Sequence, residues 1–167
     1  NLQDIYNTRG LPLRKLSRFL CQKARHFTSP FSSALYALKF NNMSEIHFLN
    51  IDLDIESSTD ISPLIQEWGN RISVHRNEEI DGVFYGSFET SCSGVHRIID
   101  EYVSLINGLS HTSRIIWDTA QRRDFDFGYE SGSEPNNYHS RIESEYINKL
   151  AKVGDSVVIS IYPIQSI

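Results

Sequence analysis

The sequence predicts an α+β fold: a sheet of about five strands with helices packed on one face. Three observations carry the prediction. Short segments alternate apolar and polar side chains, as half-buried strands do. Other segments repeat apolar residues every three or four positions, as helices do. Turn chemistry separates the two kinds of segment. The resulting order, β-α-β-β-α-α-β-α-β, contains a split β-α-β pattern and so points to a ferredoxin-like or related sandwich.

From Glu45 to Ile55, the residues Ile46, Phe48, Ile51, Leu53 and Ile55 come close to strict alternation, which predicts the first strand. Ser57-Ser58-Thr59-Asp60 makes a turn and supplies a helix cap. Pro63 then sits in the first helical turn, and Gly69-Asn70 ends the helix after Trp68. Ile72 and Val74 predict a short second strand, and Glu78 to Gly82 a hairpin turn. Val83 to Thr90 is the third strand, within which Gly86 marks a bulge or a close backbone approach.

Helical spacing takes over at Ser93, read as a cap, with Val95, Ile98, Ile99, Tyr102, Leu105 and Ile106 on one face and Gly108 as the stop. A further helix spans about Thr112 to Arg122, with Ile115, Ile116 and Ala120 inward. Phe125 and Phe127 alternate with Asp124 and Asp126, predicting a strand with one acidic face, and Glu130 to Asn137 is a polar loop. Ile142, Tyr146, Ile147 and Leu150 stripe the last helix. Gly154 ends it before the strand of Val157, Ile159, Ile161 and Tyr162.

Charge divides the chain at Met43. Residues 1–42 carry seven basic side chains (Arg9, Arg14, Lys15, Arg18, Lys23, Arg25 and Lys39) against the single acid Asp4. With totals of 16 basic and 21 acidic residues, 43–167 is left with 9 and 20. The expected organisation is a basic arm, 1–42, and a single acidic globular domain, 43–167. Two readings of the arm stand. Its stripe of Leu13, Leu16, Phe19 and Leu20 beside basic residues suits a membrane-surface, nucleic-acid-binding or transit segment. Alternatively Met43, the only methionine, is the natural start and the arm is upstream sequence. No apolar run is long enough for a membrane span. Cys21 and Cys92 fall on opposite sides of the break, which gives no disulfide framework and a reducing, cytoplasmic compartment as the expectation.

Three motifs carry a family resemblance. Val95-His96-Arg97-Ile98 opens a helix. A strand runs into a glycine-containing polar loop, Phe127-Gly128-Tyr129-Glu130 through Asn136-Asn137. Leu150-Ala151-Lys152-Val153-Gly154 leads into Ile159-Ser160-Ile161-Tyr162. On these, residues 93–163 resemble an uncharacterised bacterial domain-of-unknown-function family of small single-domain α+β proteins. The resemblance implies a scaffold and no particular activity.

No catalytic motif stands out. Cys92 and His96 share a helix start, where a thiol can be activated, yet neither a glycine-framed elbow nor an orienting acid accompanies them. A packed cysteine and a histidine bonded to a neighbouring loop is the expected arrangement. His75, His96, His111 and His139 lack metal-ligand spacing, so no metal and no cofactor are expected. Asp52 with Asp54, and Asp124 with Asp126, each share a strand face. They suit a paired-carboxylate or divalent-cation site, or simply a solvated sheet face. The acidity of 43–167 opposes nucleic acid, and the loop Glu130-Ser131-Gly132-Ser133-Glu134 lacks the ending of a phosphate cradle.

The acidity favours a basic protein partner. The expected docking groups are Glu78, Glu79, Asp81, Asp124, Asp126, Glu130 and Glu134. The expected function is a small acidic protein-binding module, most concretely an immunity protein that masks the active site of a basic bacterial toxin such as a nuclease. The alternative is an enzyme or small-ligand-binding domain using a cleft between sheet and helices.

Overall fold

The chain divides into two units, Asn1–Asn42 and Met43–Ile167. The structure, a computed structural model, describes residues 45–133 and 137–164, all in the second unit. The basic arm, Cys21 and Glu134 lie outside the described residues.

The order of elements is β1 (His47–Ser57), α1 (Ser62–Trp68), a 3₁₀ turn (Gly69–Arg71), β2 (Ile72–Ile80), β3 (Val83–Thr90), α2 (Val95–Asn107), α3 (His111–Thr119), β4 (Arg122–Glu130), α4 (Ser144–Ala151) and β5 (Ser156–Tyr162). The strands form one sheet in the order β2-β3-β1-β4-β5. The first four pair antiparallel, and β5 adds to β4 in parallel through the crossover helix α4. This is the α+β class that the sequence predicts, with two extra helices and a fifth strand on a split β-α-β frame.

Strand β1 shows why the sheet has two unlike faces. Ile51, Leu53 and Ile55 point to the helix layer and are fully buried with Phe88, Phe125 and Phe127. The helices supply Leu64 and Trp68, then Ile98, Ile99, Tyr102, Leu105 and Ile106, then Ile116, Trp117 and Leu150. Trp68 meets Phe88 and Trp117 edge-on at ring separations of 5.4 and 6.0 Å. Both indoles satisfy their N–H inside this core, Trp68 donating to Leu105 O at 3.3 Å and Trp117 to Val153 O at 3.0 Å.

Tyr102 joins helix and sheet. The β1–β3 pairing runs from Ser57/Phe84 to Leu53/Phe88. Beyond that end the Tyr102 hydroxyl lies 2.9 Å from Phe88 O and 3.1 Å from Ile51 O, supplying a donor to both strands.

Several boundaries differ from the sequence expectation, each for a local reason. Glu78 and Glu79 belong to β2, and the hairpin turn is only Asp81-Gly82. Both turn residues have positive φ, 53° and 78°, the primed geometry that matches strand twist. Register shifts fall between Val74 and Arg76 in β2 and between Phe48 and Asn50 in β1. Gly86 instead permits a close approach, since a Cβ there would sit 2.5 Å from the Phe88 ring and 2.6 Å from Ile61 Cδ1. Gly94, at φ 86°, is the cap of α2, while Ser93 is engaged by the Arg97 guanidinium. In α3 the buried face is Ser113, Ile116 and Trp117, leaving Ile115 exposed. Ile147 is exposed on α4 as well.

The α1–α3 junction rests on Glu67. Its carboxylate accepts from the Ser110 backbone N–H at 2.8 Å, the Ser110 hydroxyl at 2.6 Å and the Ser113 hydroxyl at 2.5 Å. Those bonds, the hydroxyl of Ser110 first, lower its pKa below the ordinary 4.5.

Two outcomes are expected. Tyr102→Phe should cost about 1–2 kcal/mol, because two strand carbonyls lose their shared donor, and urea unfolding should show it as a lower midpoint at unchanged slope. The Glu67 contribution is complete above the unfolded pKa near 4.5 and is lost as pH falls through the lower folded value. Glu67→Gln should therefore flatten the loss of stability with acidification, which a melting-temperature series from pH 6 to pH 2 would read.

Candidate functional site

The second face of the sheet, turned away from the described helices, is built by the same alternation. From β1 it receives Asn50, Asp52, Asp54 and Glu56, and from β4 Arg122, Asp124, Asp126, Gly128 and Glu130. The register sets Asp52 directly opposite Asp126 and Asp54 directly opposite Asp124. Continuing across the sheet, Asp54 lies opposite Ser87, which lies opposite Arg76. Glu56 lies opposite Tyr85, which lies opposite Glu78. Like charges directly opposite one another on adjacent strands disfavour folding.

The carboxylates are held by a polar lattice. The Arg122 guanidinium bridges two of them, donating from Nη1 to Glu56 Oε1 and from Nε to Asp124 Oδ2, both at 2.5 Å. Burial works against its charge. The hydrogen bond to Asp124 and the charges of Asp124, Glu56 and Asp54 outweigh that and raise its pKa. The Ser156 hydroxyl on β5 also donates to Asp124. Asn50 donates from Nδ2 to Asp52 Oδ1 and Glu89 Oε1, each at 2.9 Å, linking β1 to β3. Gly128, opposite Asn50, makes room for that amide, since a Cβ there would lie 3.2 Å from Asn50 Oδ1. His47 approaches Glu130 at 3.3 Å and His75 approaches Glu89 at 3.7 Å.

The expected docking residues fall into unlike places. Asp124, Asp126 and Glu130 sit together on β4 but are only 8, 7 and 8% exposed. Asp52, at 3%, is more enclosed still. Glu78 is exposed on the same face as this row. Glu79, paired with Phe84, points to the helix side by strand alternation, so the adjacent glutamates do not make one patch. Asp81 is exposed at the hairpin tip.

The other combinations are resolved by geometry. His96, on α2, donates from Nε2 to Glu143 Oε2 at 2.8 Å and stacks on Tyr146 at 4.0 Å. It thus ties α2 to the start of α4, on the side of the sheet opposite to Asp124 and Asp126. Cys92 is a half-buried free thiol whose backbone N–H donates to Thr90 Oγ1. The layer between sheet and helices is filled by the apolar core. Among the described residues no group of three or more His, Cys, Asp or Glu is arranged to hold a metal ion. Among them, too, no helix is long and apolar enough to cross a membrane.

The alternation of Asp52/Asp54 and Asp124/Asp126 is legible in the sequence. Their apposition is not, because it depends on the β1–β4 register. The supporting roles of Asn50, Arg122 and Ser156 leave no sequence signal beyond parity along their strands.

No protein-family model matches the chain, and neither does any curated protein or solved structure.

Asn50→Asp, nearly isosteric, would replace the amide between Asp52 and Glu89 with a further negative charge. It should destabilise the fold by about 1–3 kcal/mol, and more at low salt, as urea unfolding at two ionic strengths would measure.

Proposed function

We propose that this chain is an acidic protein-binding module that docks a basic partner against the edge of the sheet carrying Glu78 and Asp81. In its most concrete form the module is an immunity protein that masks the active site of a basic bacterial toxin such as a nuclease. The observation that carries the proposal is the gathering of carboxylates from four strands onto one sheet face. Acids gathered on one face give that face a common negative field, which suits a basic partner.

The two groups of acids divide the work. Glu78 and Asp81 are exposed and reach a partner directly, Glu78 while also holding the Arg76 guanidinium at 2.5 Å. Asp124 and Glu130 are enclosed and already bonded within the sheet, so they act through the field they project. Complementary charge of this kind raises association rate and selects partners more than it raises affinity.

The test is capture from host extract on the immobilised full chain, elution by a salt gradient and identification of the eluted protein, followed by kinetics on the purified pair. The expected outcome is one basic protein in stoichiometric amount. Glu78→Lys combined with Asp81→Lys should slow its association by about tenfold at low salt and flatten the salt dependence. Glu145→Lys, on the helix side, should leave both unchanged. Capture of no basic protein, or equal kinetics in both variants, would overturn the proposal.

A further inference from the structure

The two edges of the sheet are guarded very differently. On β2 the edge carries Arg76, Glu78 and Glu79, and a bulge interrupts it between Val74 and Arg76. These are the devices by which a sheet edge is kept from pairing with another chain. Strand β5 has none of them. From Ser156 to Tyr162 it reads Ser-Val-Val-Ile-Ser-Ile-Tyr, without a charge, a proline or an irregularity in its pairing with β4. Pro163 closes it.

The side chains of β5 add to this. Val157, Ile159 and Ile161 lie opposite Phe125, Phe127 and Tyr129 and so share the helix-side face. Their partners on β4 are covered, whereas they are 44, 65 and 60% exposed. The backbone is oriented to match. Tyr162 O accepts from Ser131 N at 2.7 Å, so it faces β4. By the alternation of backbone groups along a strand, Val157, Ile159 and Ile161 then turn their N–H and C=O groups outward.

We propose that a second copy of this chain pairs with the first through β5, antiparallel and two-fold symmetric about Ile159, to make one continuous sheet. The occupant follows from self-complementarity. Centred on Ile159, the pairing sets Ile159 against its own copy and Val157 against Ile161, so the apolar row meets the apolar row on one face. On the other face Val158 meets Ser160 and Ser156 meets Tyr162, and no charges are opposed. The outward groups of the odd-numbered residues form about six backbone hydrogen bonds in this register. A register moved by one residue loses this match, because outward-facing backbone would meet backbone already bonded to β4. A closed two-fold pair also leaves no unpaired β5 edge for further growth. So short a strand buries less than the roughly 1,600 Å² of a standard interface, so the dimer is reversible and its population rises with concentration.

The experiment is sedimentation equilibrium of the full chain across a concentration series, beside Ile159→Lys with its circular dichroism and melting temperature recorded. The unaltered chain should move from 19.2 kDa towards twice that mass as concentration rises. Ile159→Lys should stay monomeric and melt as the unaltered chain does. A monomer at every concentration up to about 500 µM would overturn the proposal, as would a folded Ile159→Lys that still dimerises. Should that variant fail to fold, the register is read by oxidation of Ile159→Cys and Val158→Cys against the unaltered chain. Facing Cα atoms at position 159 are about 5.5 Å apart, within disulfide reach. A covalent dimer with Ile159→Cys and not with Val158→Cys supports the pairing, and the reverse or neither sinks it.

Discussion

The rest of the structure depends on the register of β1, the strand at the centre of the sheet. Pairing on both sides fixes it twice, with Leu53 against Phe88 on one flank and Phe125 on the other. A slip of one residue would turn Ile51, Leu53 and Ile55 out of the core and bring Asp52 and Asp54 into it. Burial of the apolar row therefore decides where the acids go. Register fixes only the face these residues take; that they are acids is a separate property of the sequence, and it sets Asp52 against Asp126 and Asp54 against Asp124 at a cost that other groups must offset.

That cost is moderated locally. Arg122 takes two carboxylates with one planar fork, which a lysine would do less well. Asn50 bridges two more with a neutral amide, and the bare backbone of Gly128 makes space for it. The sheet is thus negative without being a row of unsupported charges. Its field is steady because the groups that produce it are fixed in place.

Element types were largely legible in the sequence because they rest on period. Strand β3 could be read end to end, and the buried face of α2 residue by residue, since each buries one stripe against one surface. Where burial depended on position in the sheet, period was uninformative. Val157, Ile159 and Ile161 alternate as Ile51, Leu53 and Ile55 do, yet the central strand lies under the helices while these three stand exposed on an edge strand. Glu78 and Glu79 read as a turn because charge and a following Asp-Gly mask a strand, and the true turn takes only two residues. The candidate site was half visible for the same reason. Parity along a strand is local, whereas the apposition of Asp54 and Asp124 joins distant parts of the chain.

The position of β1 also sets an order of events as the chain is made. It is the first of the described strands to emerge, and it must wait for β3 and then for β4 before both of its sides are occupied. In between, the β2–β3 hairpin can close on its own two-residue turn and dock on one flank. The other flank stays unpaired until Arg122 to Glu130 arrives, while Asp52, Asp54 and Glu56 line one face of the strand. Negative charge along that waiting strand repels other nascent copies during the interval, so the residues that burden the finished sheet protect the unfinished one.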